Sequence, residues 1–224
     1  NLYIMKTKLF IISICIAICF SCEDSEPEPQ GLEVSTSDIS LNSGESETII
    51  AISDFDIFYE SENEFHASVT SQGKVTAVKV GSTNIKVSSN GKVDYVPVEV
   101  IPVYETYPMP ITDWNQSRSS IISVNGQPDA EMADGIGYED YSVKAPMVLY
   151  LFDENGKLKS TAVMVKSEYS SELGSYIAER YQLLGEEDGV FFVMDALSPS
   201  EAEMGVVLGL YDLNYWMVLY MPYS

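Results

Sequence analysis

Between Leu32 and about Pro102 the chain is a succession of short segments in which apolar and polar residues alternate, broken at close spacing by Gly, Asn and Ser. A side-chain period of two is satisfied by extended backbone with one buried face, and many short strands with frequent turn residues predict an antiparallel β-sandwich. In Lys74-Val75-Thr76-Ala77-Val78-Lys79-Val80 and Thr83-Asn84-Ile85-Lys86-Val87, the residues Val75, Ala77, Ile85 and Val87 face inward while lysines and polar groups face water. Gly73 and Gly81 bound the first segment and supply backbone turns that a Cβ hinders.

The order of residues in this stretch resembles the group 2 bacterial immunoglobulin-like domain, found in adhesins and in many surface lipoproteins. The resemblance rests on Ile39-Ser40-Leu41-Asn42-Ser43-Gly44-Glu45, on Ser61-Glu62-Asn63, and on the run Ala67-Ser68-Val69-Thr70-Ser71-Gln72-Gly73-Lys74 continuing through Val75 to Ile85. Phe58-Tyr59 stand where the family usually carries a tryptophan, an exchange of core aromatics. What the resemblance implies is a spacer or adhesive module over residues 32–102, with no active site.

Pro102, Pro108 and Pro110 interrupt regular pairing and mark a linker at 103–111. Beyond it, residues 112–224 read as an α+β domain. A first helix is expected to open at Ile111-Thr112-Asp113-Trp114 with Asp113 as N-cap, and to stop at Gly126 before Pro128. Three strands follow, Gly137 to Val143, Met147 to Asp153 and Lys157 to Lys166, the last two joined by the hairpin signal Asn155-Gly156. A second helix is expected from about Ser170 to Leu184, with Leu173, Tyr176, Ile177, Tyr181 and Leu184 on one stripe and Gly185 as C-cap. Val190 to Ala196, Met204 to Tyr211 and Tyr215 to Met221 supply three more strands. Two helix-plus-three-strand units make one antiparallel sheet with both helices on one face. This order, with Val124-Asn125-Gly126-Gln127-Pro128 after the first helix, is similar to the β-lactamase-inhibitor-protein fold and to small lipoproteins of the outer-membrane barrel-assembly machinery. That resemblance implies an architecture and carries over no functional residue.

At the other end, Met5-Lys6-Thr7-Lys8 precedes an uncharged apolar run from Leu9 to Phe20 that reaches Ser21-Cys22. The run is too short to span a bilayer and reads as a secretory signal over 5–22. Cys19-Phe20-Ser21-Cys22 resembles a bacterial lipobox, which implies lipidation of Cys22 and anchorage in the outer membrane. Residues 23–31, acidic and proline-containing, form an extended tether. Acidic residues directly after the anchor resemble a signal for export to the cell surface.

Composition now narrows the function. Against 12 Lys and Arg stand 34 Asp and Glu, a net charge of −22, so nucleic acid is repelled. His66 is the single histidine, and Cys15, Cys19 and Cys22 all precede the tether, which removes the raw material for zinc sites, Ser-His-Asp triads and disulfide frameworks. Glu139-Asp140, Glu186-Glu187-Asp188 and the Glu201 to Glu203 stretch flank turns and present no paired-acid site. Asp153-Glu154-Asn155-Gly156-Lys157 is too short for a calcium loop and reads as a hairpin turn. The aromatic residues Tyr211, Tyr215, Trp216 and Tyr220 are the candidate ligand contacts, since flat rings with polar tips suit sugars or a protein partner.

The expectation is therefore a non-enzymatic surface lipoprotein, without cofactor or metal, held to the membrane through Cys22. Its immunoglobulin-like module spaces a C-terminal domain that binds protein or glycan. An accessory subunit of an outer-membrane complex is the alternative, and a carboxylate-dependent hydrolase ranks last.

Overall fold

The computed structural model describes residues 29–223. The signal segment, Cys22 and nearly all of the tether lie outside the described residues.

The first nine strands are β1 (Glu33–Val34), β2 (Ile39–Asn42), β3 (Ser46–Thr48), β4 (Ala51–Ile52), β5 (Phe58–Ser61), β6 (Ala67–Val69), β7 (Lys74–Ala77), β8 (Gly81–Ser89) and β9 (Lys92–Ile101). They form a four-stranded sheet in the order β2-β9-β8-β5 and a three-stranded sheet in the order β3-β7-β6, with β1 paired to β4 at one end. β2 runs parallel to β9, and the remaining pairs are antiparallel. Alternation fixes the core: Val96, Val98 and Val100 of β9 are at most 1% exposed and meet Val75, Ala77, Ile85 and Val87 between the sheets. Each buried valine or isoleucine stabilises the sandwich by roughly 1.5–3 kcal/mol relative to exposure. Gly81 is needed for close approach, because a Cβ there would stand 2.3 Å from the His66 ring.

The sandwich has two distinct poles. At one, the Asn90-Gly91 turn joins β8 to β9 with both residues at positive φ, as a two-residue hairpin requires. The end of the tether arrives there: Gln30 donates its backbone N–H to Asp54, and Gly31 lies against the Lys92 side chain. At the other pole are Lys79, Val80 and the end of β9, about 30 Å away at the rise of an extended ten-residue strand.

The second body contains α1 (Arg118–Asn125), β10 (Ala130–Met132), β11 (Gly135–Glu139), β12 (Met147–Phe152), β13 (Leu158–Lys166), α2 (Ser170–Ala178), β14 (Gln182–Glu187), β15 (Val190–Met194), β16 (Met204–Leu210) and β17 (Tyr215–Pro222). All eight strands form one antiparallel sheet in the order β10-β11-β12-β13-β17-β16-β15-β14. Each half is one helix followed by four strands, and the halves join along β13 and β17.

Several details differ from the sequence expectation. The first helix starts later, at Arg118, because Ser117 is the residue whose side chain accepts the Ser120 N–H; Asp113 instead closes a turn through Asn115 and Gln116. The second helix stops at Ala178, and Gln182 to Glu187 pair with β15 as a strand, so Leu184 is not on the helix and Gly185 does not cap it. With β10 in the first half and β14 in the second, the strands of each half number four, not three. The two helices have only eight and nine residues, so this body is mostly β, with both helices on one face. On that face Ile121, Leu173 and Tyr176 pack against Val148, Val163 and Val218 in a second core.

Glu179, the residue after α2, ties the two bodies together. Its backbone carbonyl accepts the Val80 N–H at 2.8 Å, and its carboxylate accepts the N–H groups of Val103 and Tyr104 at 3.0 and 3.1 Å. Arg180 pairs with the same carboxylate, reaches the Tyr104 carbonyl and lies over the Tyr176 ring. Beside them Lys79 donates to the Ala178 carbonyl at the negative end of α2.

Candidate functional site

The four aromatic residues singled out in the sequence do not converge. Tyr220 is fully buried on the helix side, its hydroxyl 2.6 Å from that of Tyr107 and its ring edge-on to Tyr181. Burial pushes its hydroxyl pKa well above the ordinary value. Trp216 also points to the helix side, where its Nε1–H donates to Ser170 at the start of α2. Tyr215 faces the opposite side of the sheet, and Tyr211 stands exposed in the turn between β16 and β17. The pairings Trp216 with Leu210 and Tyr220 with Val206 hold these rings under α2, which withdraws Tyr220 from any surface ligand.

The acidic candidates are placed at solvated strand ends and turns. Glu139, Asp140, Glu186, Glu187, Asp188, Glu201 and Glu203 are all exposed. Asp153 accepts the N–H groups of Asn155 and Lys157 in the β12–β13 hairpin, and these bonds hold its carboxyl below the usual range. His66 is half-buried with Nδ1 3.3 Å from the Lys79 carbonyl. Among the described residues no group of three His, Cys, Asp or Glu is placed to hold a metal, and no helix is long and apolar enough to cross a membrane.

What the sheet does present is its second face, the one without helices. The register aligns Ala130, Gly137, Leu149, Ala162, Leu219, Val207, Phe192 and Gly185 in one row across all eight strands, without a polar side chain. A neighbouring row runs Met147, Met164, Met217, Gly209, and a third joins Met194, Gly205 and Met221. With Met132 beside Gly135, six of the nine methionines lie on this face. Met132 is 42% exposed, Met147 and Phe192 37% each, Leu149, Leu151, Met217 and Leu219 are half-buried, and Met164 and Met194 are buried.

Glycines shape the surface. A Cβ at Gly135 or Gly137 would stand 2.8 Å from Leu151 or Leu149, so these leucines lie across the neighbouring strand and smooth the face. Flexible thioethers adapt to a partner's contour, and apolar residues exposed side by side are the material of interaction sites. Charge enters only at the margins, as Glu139, Glu187 and Lys166. The sequence contained this face in the alternation Tyr215, Met217, Leu219, Met221, and of the aromatic candidates in that strand Tyr215 shares it while Trp216 and Tyr220 lie on the other.

Comparison with known proteins adds one assignment. Residues 33–100 match the family model of the bacterial Ig-like domain (group 2), the stretch that folds as the sandwich. No curated protein matches the chain. Domains 5-6 of the S-layer protein SbsC are 14% identical with a TM-score of 0.29, covering 88% of this chain and 85% of that one. Human protocadherin-24 EC1-2 is 11% identical with a TM-score of 0.27, covering 86% of this chain and 95% of that one. The PcdhgB3 EC1-4 structure is 11% identical with a TM-score of 0.30, and the match spans 87% of this chain but 49% of that one.

Proposed function

We propose that this protein is a non-enzymatic, lipid-anchored cell-surface protein of the outer membrane, in which the Ig-like sandwich carries the C-terminal sheet away from the membrane and presents its methionine-rich face to a protein partner. The observation that carries the reading is the row of apolar residues crossing all eight strands on the face that no helix covers. The poles of the sandwich support the spacer role, because the tether arrives at one and the C-terminal body is tied to the other. With a net charge of −22, a second copy is repelled, so the occupant is a protein whose apolar surface is rimmed by lysine and arginine. A glycan is a poorer match, since the row that crosses the open face carries no hydrogen-bonding side chain. An accessory role in an outer-membrane complex would use the same face.

The test is site-specific photo-crosslinking in cells making the full chain. A photoreactive amino acid at Met147 or Phe192 should give one discrete adduct, and none should form from Val124 on α1, which is 74% exposed on the opposite side. Equal labelling from all three positions, or an adduct of twice the chain's mass, would overturn the proposal.

A further inference from the structure

The two edges of the eight-stranded sheet are treated differently. At the β10 edge only three residues are paired, and Arg118 blocks the end of that strand by donating to the carbonyls of Met132 and Ala133 at 3.0 Å while pairing with Glu131 at 3.8 Å. Covering an edge strand in this way suppresses pairing with another chain. At the other edge β14 is six residues long, contains neither proline nor lysine, bulges at Leu184 between Leu183 and Gly185, and leaves Leu183 56% and Leu184 43% exposed.

Beside β14 lies a groove. A cavity of about 480 Å³ opens between α2 and the strands from β14 to β17, lined by Leu173, Ile177, Leu183, Phe191, Leu208 and Trp216. Gly174 of α2 also faces it, and nothing lies within 4 Å of the place a Cβ would occupy. Glycine inside a helix costs about 1 kcal/mol relative to alanine, and here no close contact requires it. Its effect is to keep the groove open. At the far end of β14, Glu186, Glu187 and Asp188 are exposed, and none has an ion-pair partner among the described residues.

We propose that β14 and its groove bind an extended polypeptide segment by strand addition, with apolar side chains at alternate positions entering the groove and a lysine or arginine reaching the Glu186 to Asp188 run. Main-chain hydrogen bonds to the free edge give affinity, and the groove selects the apolar side chains. The acidic run and the net charge of −22 favour a basic segment over a second copy of this chain. This surface is separate from the methionine-rich face, and its occupant adds to the sheet edge instead of covering it.

The experiment pans a library of random twelve-residue displayed peptides against the full chain in mild detergent. The expected result is enrichment of peptides with alternating apolar residues and a Lys or Arg near one end. Affinity should drop at least tenfold for Gly174→Phe, which fills the groove, and for the double variant Glu186→Lys, Glu187→Lys, which reverses the charge. Gly174→Ala should keep binding, which shows that the helix remains sound. A synthetic copy of the best peptide, N-methylated at alternate residues, should not bind. No enriched peptide, or equal binding by Gly174→Phe or by the methylated copy, would overturn the proposal. So would a dimer in sedimentation that Gly174→Phe returns to monomer, because the occupant would then be a second copy. Photo-adducts from Met147 and Phe192 should persist in Gly174→Phe, so this proposal and the one on the open face fail separately.

Discussion

Replacing Glu179 by alanine should loosen the joint between sandwich and sheet more than any surface substitution. The carboxylate is 6% exposed and accepts the Val103 and Tyr104 N–H groups as well as the Arg180 guanidinium, whose side chain is itself 14% exposed. Alanine leaves two backbone donors without acceptors in a partly buried linker and strips Arg180 of its counter-charge, although the guanidinium keeps the Tyr176 and Tyr104 carbonyls. Breaking a buried pair from one side costs about 3–5 kcal/mol. In a body of this size that lowers the unfolding midpoint by on the order of 10 °C. Thermal unfolding followed by circular dichroism reads the midpoint, and limited chymotrypsin digestion reads cutting at Tyr104, which should accelerate as the linker is released. A midpoint loss worth less than about 1 kcal/mol with unchanged cutting would show that the joint does not depend on this carboxylate.

Other perturbations probe other parts of the molecule. Tyr220→Phe removes the partner of the Tyr107 hydroxyl inside the core and should cost roughly 1–3 kcal/mol in urea unfolding, whereas a loss near zero would mean that hydroxyl finds another acceptor. Burial raises the hydroxyl pKa of Tyr107, Tyr150, Tyr176, Tyr181 and Tyr220, so the folded state keeps protons that the unfolded chain releases near pH 10. Stability from these groups is intact below that pH and falls as pH rises above it; tyrosinate absorbance should therefore appear cooperatively with loss of structure, and gradual ionisation of all tyrosines before unfolding would contradict the burial. Gly81→Ala puts a methyl group into the His66 ring and should lower the midpoint of the sandwich in a thermal melt, while leaving that of the sheet body in place. Protease added to intact cells should remove both bodies, and full protection would refute outward exposure.

The sandwich was legible because its two signals agree: Val75, Ala77, Ile85 and Val87 alternate with polar residues, and Gly73, Gly81 and Asn90-Gly91 stand at the reversals between them. The sheet body was harder to read for identifiable reasons. Gln182-Leu183-Leu184 continues the apolar spacing of α2, so its pattern reads as helix, yet pairing with Val193 and Met194 holds it extended. Ala130-Glu131-Met132 is too short to show a period, and only the neighbouring β11 makes it a strand. For β17 the alternation gives two candidate faces, and both are apolar. Which one meets the helices depends on contacts such as Trp216 with Ser170, 46 residues apart, that local pattern does not encode. The same ambiguity hid the methionine-rich face, which exists only once strands distant in sequence are aligned in register.

The position of β17 also governs when the C-terminal body can form. It follows every other strand in sequence yet lies at the centre of the sheet, between β13 and β16. A chain that folds from its N-terminus onward can complete the sandwich while the sheet is still in two unjoined pieces, each with a bare hydrogen-bonding edge and an uncovered apolar surface. Only the arrival of Tyr215 to Pro222 closes the gap, by pairing with both halves at once. During that interval the molecule is most vulnerable to aggregation, and a chaperone would find its substrate in this unjoined state, not in the finished protein.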